Sequence, residues 1–230
     1  MIRFERVSKV YERRGRSVDA LKPADINIAA GEFVAVIGSS GSGKTTLLSI
    51  IGGMLTPTSG TVRFEGESLY DLSSRRRSRI RSERIGFVFQ SFNLIPWLSA
   101  LENVQLPLCV YGTDPRIQRS RAKELLERFG LEDRMDHKPS ELSVGQQQRV
   151  ALARTLVNNP ALILADEPTG NLDPLARQLV LDCFTQMQQD GRTIVMVTHD
   201  HAAAQHADRV LRILDGAVSR AAQSEIAGAA

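Results

Sequence analysis

Cysteine is nearly missing from the chain. Only Cys109 and Cys183 occur, far apart and without C-x-x-C spacing, so neither a disulfide framework nor a zinc site is indicated and a reducing compartment is the default. Long apolar runs are also lacking. None approaches about 18 residues, and the N-terminal MIRFERVSKVYERRGR has no apolar signal core, so the chain is expected neither to span nor to cross a membrane itself. Any membrane link must come through a partner. Charge of one sign is scarce as well: with 24% charged residues and a net charge of +3, this is no polycation, and nucleic-acid binding is not expected. The 230 residues suffice for one large domain with a buried core.

Ile2 to Tyr11 alternate apolar and polar, Ile26 and Ile28 begin a second such stretch, and Thr61 to Phe64 follows a Thr-Ser-Gly turn, which together predict an antiparallel β-layer. Phe33 to Ile37, Gly86 to Phe89, Leu162 to Ala165 and Ile194 to Val197 are instead continuously apolar, as parallel strands covered on both faces require. Each run ends in something chemical: a glycine-rich loop, Gln90, Asp166 with Glu167, and His199. Ligands of open α/β sheets bind beyond the carboxyl ends of strands, so these segments are predicted to converge on one pocket, as in an enzyme. Between Gln90 and Ser143 the pattern turns helical. Ser99 with Glu102 makes a capping box, and Asp114-Pro115 opens a run carrying Ile117, Leu125, Leu126 and Phe129 that stops at Gly130. These patterns predict a single domain over 1–230, with a core over about 1–90 and 154–220, a helical insertion over about 91–153, a hairpin around Asp215-Gly216 and a fraying tail over 219–230.

GSSGSGKT, Gly38 to Thr45, fits G-x-x-x-x-G-K-[ST], with a strand before it and a helix predicted over Thr45 to Ile51. Such a loop, here Gly38, Ser39, Ser40, Gly41, Ser42 and Gly43, aims backbone N–H groups at phosphate, those of Gly41 and Gly43 wrapping the β-phosphate. Lys44 is expected to bridge the β- and γ-phosphates, the Thr45 hydroxyl to ligate Mg²⁺, and Thr46 to reach the α-phosphate. Asp166 and Glu167 are neighbours at a strand end, so they face opposite ways unless Pro168 and the following turn redirect the second. Distinct roles follow: Asp166 holds Mg²⁺ through water, and Glu167 polarises the attacking water as general base. Ser143 and Gln146 form another capping box, opening a helix predicted over Val144 to Val157. Many helix ends of this kind bind nothing. Here the Gly38 loop already supplies a complete β-phosphate cradle, while Gly145 lets a backbone come close at a second anion-binding end. If the insertion keeps that end away from its own chain's loop, the phosphate it takes is on ATP bound to another copy.

With these motifs in this order, the sequence resembles the nucleotide-binding domain of an ABC transporter over about residues 1 to 218. The resemblance implies an α/β fold, a P-loop NTPase (RecA-like) core with an antiparallel β-subdomain and an inserted α-helical subdomain. It implies an ATPase using ATP and Mg²⁺. Gln90 is then the Q-loop residue, catalytic and a metal ligand with Thr45 and Asp166. LSVGQ is the signature, in which Ser143, Gly145 and Gln146 bind nucleotide, Asn171-Leu172-Asp173 is the D-loop, His199 is the switch histidine on the γ-phosphate, and Tyr11 stacks on adenine. A head-to-tail dimer is implied, each ATP lying between one subunit's phosphate loop and the other's signature. So is an integral membrane permease as partner, with the chain peripheral on the cytoplasmic face of the inner membrane. GFVFQSFNLIPWLSALENVQLPL and DEPTGNLD are most similar to the lipoprotein-release, macrolide-export and cell-division subfamily, whose partner is an FtsX-like permease. That implies export, extraction or mechanotransmission; a scaffold or signalling ATPase whose partner carries no cargo stays open beside it. A soluble repair or translation ATPase would need a coiled-coil insertion or a second cassette, neither of which fits in 230 residues.

Val144 stands where the family signature has glycine, and its side chain is expected to crowd the γ-phosphate, weakening activity without abolishing it. Most apolar residues of Ser91 to Leu108 are expected to be core of the helical subdomain; the family resemblance offers a second reading, in which Phe92, Leu94 and Trp97 line the groove beside the Q-loop that receives a coupling helix of the membrane partner. The run Arg75, Arg76, Arg77, Arg79, Arg81 and Arg84 has no assigned role: such runs usually solvate a surface loop, and a place near anionic lipid headgroups stays open; His199, His201 and His206 are too loosely spaced to read as a transition-metal site.

Overall fold

The continuously apolar runs become the parallel core of a six-stranded sheet. The computed structural model describes residues 1–13, 15–110, 112–170 and 172–221; Asn171 of the expected D-loop, and the expected tail from 222 onward, lie outside the described residues. In chain order the parallel strands are β3 (Phe33–Ile37), β6 (Ile85–Phe89), β7 (Leu162–Asp166), β8 (Thr193–Thr198) and β9 (Arg209–Leu214). They lie side by side as β9-β3-β8-β7-β6, and β10 (Ala217–Arg220) closes the β9 edge as an antiparallel hairpin partner. Ser219 and Arg220 pair with Arg212 and Leu211, so the hairpin extends into what the turn pattern alone marked as tail.

The pleat divides each strand between two cores. Phe33, Ala35 and Ile37 of β3, Ile163 and Ala165 of β7, and Ile194 and Met196 of β8 face a layer of helices. Val34 and Val36, Leu162 and Leu164, and Val195 and Val197 face the opposite side. That opposite side is covered by α1 (Lys44–Ile51) and by an antiparallel sheet in the order β2-β1-β4-β5, formed by β1 (Ile2–Arg13), β2 (Arg16–Ile28), β4 (Ser59–Phe64) and β5 (Glu67–Ser68).

The helical side carries α3 (Ala100–Cys109), α4 (Pro115–Arg128), α5 (Val144–Leu156) and α6 (Pro174–Gln189). The starts of α3, α4 and α5 are those the caps predict: Ser99 and Glu102 exchange hydrogen bonds of 3.2 and 2.8 Å, and Asp114 caps α4 with Pro115 in its first turn; α6, for which those patterns predict no start, is capped by Asp173 ahead of Pro174. Leu126 and Phe129 are buried, whereas Ile117 is exposed. The short α7 (His201–Ala204) follows β8.

The arginine run corrects an expectation: Ser74–Arg84 is a helix, α2, not a loop. Its only buried residue is Ile80, so no apolar period announces it. Ser73 caps it, Arg79 pairs with Glu83 one turn on, and Arg84 and Arg81 reach Glu65 and the Gly53 carbonyl.

Candidate nucleotide site

The glycine-rich loop leaves β3 and enters α1 through Gly43, at φ 111°. A Cβ there would sit 2.1 Å from the Ala20 carbonyl oxygen, and one at Gly38 would sit 2.4 Å from that of Ile213, so the loop fits between β2 and β9 only as glycine. Lys44 is buried and folds its ammonium back across the loop, donating to the carbonyls of Gly38 and Ser39 at 2.8 and 3.0 Å. No acidic residue lies in the first turn of α1, leaving its positive end free for an anion. Ser39, Ser40, Gly41, Ser42 and Thr46 all lie on this loop and first turn.

Asp166 ends β7 with the parity of Leu162 and Leu164, on the α1 side of the sheet, and its Oδ2 accepts from the Thr45 hydroxyl at 3.4 Å. Burial raises its carboxyl above the ordinary range and the Glu167 charge adds to the rise; the Thr45 hydrogen bond and Lys44 act against it. A cation beside Asp166 would reverse that penalty. Among the described residues no group of three or more His, Cys, Asp or Glu could hold a metal ion, so an ion at Thr45, Asp166 and the Gln90 amide would complete its oxygen shell with phosphate and water. Such a set suits Mg²⁺.

Glu167 would by parity face the helices, and the backbone redirects it. Its φ is 49°, its N–H donates to the Val197 carbonyl at 2.9 Å, and the Gly170 N–H closes a turn back onto its own carbonyl at 3.1 Å. The carboxylate thereby meets His199: Oε2 accepts from the His199 backbone N–H at 3.2 Å and lies 2.9 Å from Nδ1. The imidazole itself is 72% exposed. Gln90, at the end of β6, lies against Gly170, where a Cβ would come within 2.7 Å of its Nε2. The four strand ends are therefore brought together as expected.

Ser143 opens α5 with the predicted box: its Oγ accepts the Gln146 N–H at 3.3 Å and its own N–H donates to Gln146 Oε1 at 2.8 Å. Here too the first turn carries no acid. Val144 is 52% exposed, and Gly145 lies against Ala176 of α6. The cavity beside Gly38 and Ser39, about 380 Å³, is lined by His199, His201 and residues of β9, with none from α5. The cleft beside Ser143 and Gly145, about 70 Å³, is lined by α5 and α6, with none from the phosphate loop. Tyr11, 42% exposed on β1, presents its ring with the Lys9 ammonium 5.2 Å from its centroid.

A depression of about 460 Å³ near the end of β6 is lined by Met54, Phe87, Phe89, Asn93, Val110 and Arg154 among others, and not by Phe92, Leu94 or Trp97. Phe92 and Leu94 pack on the helical core, as core residues of that subdomain should, and Trp97 stands 72% exposed outside this depression.

Three polar residues that the motif reading missed hold this region. Arg154 donates from both guanidinium nitrogens, at 2.6 Å each, to the carbonyls of Phe92 and Asn93, two consecutive residues at φ 58° and 49°. Burial lowers its pKa. Asn103, fully buried, binds the backbone of Ile95, Leu98 and Ser99. Gln148, also fully buried, donates to the Pro168 carbonyl at 3.1 Å and fixes the turn after Glu167. Their only sequence signal is polarity at helix positions that the apolar pattern assigns to the interior.

Residues 21–170 match the family model described as ABC transporter. The chain is 47% identical over 221 residues to the macrolide export ATP-binding/permease protein MacB of Syntrophobacter fumaroxidans, covering 95% of this chain but 31% of that protein. It is 45% identical over 231 residues to the lipoprotein-releasing system ATP-binding protein LolD of Shewanella frigidimarina, covering 100% of this chain and 97% of LolD. Among solved structures it is similar to the dimeric, post-hydrolysis ATP-binding cassette MJ0796 bound to ADP and Pi, with a TM-score of 0.88, 44% identity and coverage of 96% of this chain and 97% of that one. The match takes in the sheet edge where the phosphate loop, Asp166 and Glu167 gather, and the chain belongs to the ABC transporter family, as an ATP-binding cassette of the LolD and MacB type with ATPase activity.

Proposed function

We propose that two copies of this chain assemble head to tail around two ATP molecules and, through hydrolysis, drive an integral membrane permease of FtsX-like type in export, extraction or mechanotransmission. The observation that supports shared sites is that the cavity beside Gly38 and Ser39 of the phosphate loop and the cleft beside Ser143 and Gly145 of the signature are separate and have no lining residue in common. Each ATP is then held by Lys44 and the Gly38–Gly43 loop of one copy and covered by Ser143, Gly145 and Gln146 of the other, with Tyr11 on the adenine. Mg²⁺, when bound at Thr45, Asp166 and Gln90, supplies charge neutralisation at the phosphates. Glu167 takes the proton of the attacking water, and His199 leaves its carboxylate for the γ-phosphate.

The groove of Met54, Phe87, Phe89 and Val110 is an apolar seat for a cytoplasmic segment of the permease. Bound to such a permease, the chain would be peripheral on the cytoplasmic face of the membrane; no helix among the described residues is long and apolar enough to cross one. The relatives' names, lipoprotein release and macrolide export, favour outward movement of cargo. Size-exclusion chromatography of Glu167→Gln with ATP tests the assembly: a shift from monomer to dimer is expected, and a monomer at every concentration would sink it. Affinity capture from detergent-solubilised membranes tests the partner, an FtsX-like permease being the expected band.

A further inference from the structure

The loop between Glu167 and α6 is tied to the turn after β8 at both of its ends. At its start, Glu167 holds His199. At its far end, in the first turn of α6, the Arg177 guanidinium lies 3.2 Å from Oδ2 of Asp200, the residue that follows His199. The other oxygen of Asp200, Oδ1, accepts the N–H groups of Ala202 and Ala203 at 2.9 and 3.3 Å, and the Asp200 N–H donates to Thr198 Oγ1 at 3.0 Å. Asp200 thus spends one oxygen on α7 and the other on Arg177. His199 lies between a fully buried Thr198 and this clasped Asp200, with its own ring out in solvent.

We infer that Arg177 is a positioning residue for hydrolysis, holding the turn that carries His199 in register with the loop that carries Glu167. The inference rests on the roles proposed above for Glu167 and His199. Arg177 and Asp200 are 41% and 22% exposed, and a pair so open to water contributes little to folding stability. Its consequence is geometric. Two groups that must meet one γ-phosphate and one water lie on different segments, and a displacement of about 1 Å between them costs up to about a hundredfold in rate. The pair also joins α6, whose N-terminus follows Leu172 and Asp173, to the turn that carries His199.

The test is steady-state hydrolysis by Arg177→Ala and Arg177→Lys, with Arg177→Gln preserving the packed stem should the alanine variant fold poorly. Arg177→Ala is expected to lower kcat by about tenfold or more at unchanged KM and ATP affinity, while Arg177→Lys recovers most of the loss. In a His199→Ala background, Arg177→Ala should cause no further drop, because its effect passes through His199. An unchanged kcat, a loss that multiplies fully with that of His199→Ala, or a loss that lysine does not relieve would overturn the inference. Full hydrolysis by His199→Ala alone would instead refute the role assigned to His199, whatever Arg177 does.

Discussion

Glu167 Oε2 holds His199 twice, at 2.9 Å from Nδ1 and 3.2 Å from the backbone N–H, so the proposed base and the proposed γ-phosphate ligand are in direct contact. Glu167→Gln is expected to lose at least about a hundredfold in turnover while still binding ATP, since the amide keeps the shape but not the basicity. Phosphate release and titration with a fluorescent ATP analogue check this; near-normal turnover would remove Glu167 from the role of base.

Gly170 is the seat of Gln90. Its φ is not in the left-handed region, so alanine introduces no backbone strain, and the atom it meets, Gln90 Nε2 at 2.7 Å, is the end of a flexible side chain. Gly170→Ala should therefore fold, with Tm within about 2 to 4 °C of the wild type. Gln90 should be pushed aside, lowering kcat by about tenfold. Calorimetry and steady-state kinetics on one preparation separate the two effects.

Much of this site was legible in the residues. Strand ends at Ile37 and Phe89 follow from apolar runs that stop at polar residues, those at Asp166 and Thr198 lie one residue beyond the runs ending at Ala165 and Val197, and the Ser143 box follows from spacing alone. The opposed facing of Asp166 and Glu167 on one strand required a redirected backbone, and φ 49° at Glu167 supplies it. What stayed hidden depends on contacts between segments far apart in the chain. Arg177 meets Asp200 only because α6 packs beside the turn after β8, and nothing local to either residue marks the pair. Helix α2 was hidden because its surface is arginine and serine, with Ile80 alone turned inward. The left-handed backbone of Phe92 and Asn93 carries no sequence signal either, since it is held by Arg154 some sixty residues away.

Tyr70 offers a control away from the chemistry. Its hydroxyl lies 2.7 and 2.6 Å from the carbonyl oxygens of Ile50 and Leu55, at the end of α1, and burial pushes the phenol above its ordinary 10.0. Tyr70→Phe should cost about 1 to 3 kcal/mol of stability with turnover unchanged. A raised pKa means that the protonated phenol favours the folded state, so this contribution is complete below pH 10.0 and declines as pH rises beyond it. Urea denaturation across that range should show the two proteins converging above pH 10.0.

Val144 is 52% exposed in the first turn of α5, beside Ser143. Val144→Gly should raise turnover at saturating ATP by relieving crowding over the γ-phosphate, and should cost about 0.5 to 1 kcal/mol through the flexibility of glycine in a helix. Equal or lower turnover in the glycine variant would mean that valine crowds nothing.

In the proposed dimer one copy binds the phosphates of each ATP and the other covers them. Lys44→Ala and Ser143→Arg each disable one half, so neither homodimer should hydrolyse ATP, but a mixed dimer keeps one site with an intact loop and an intact signature. Phosphate release measured over a series of mixing ratios should rise to a maximum at equal amounts, well above either variant alone. A flat line at the level of the single variants would contradict shared sites.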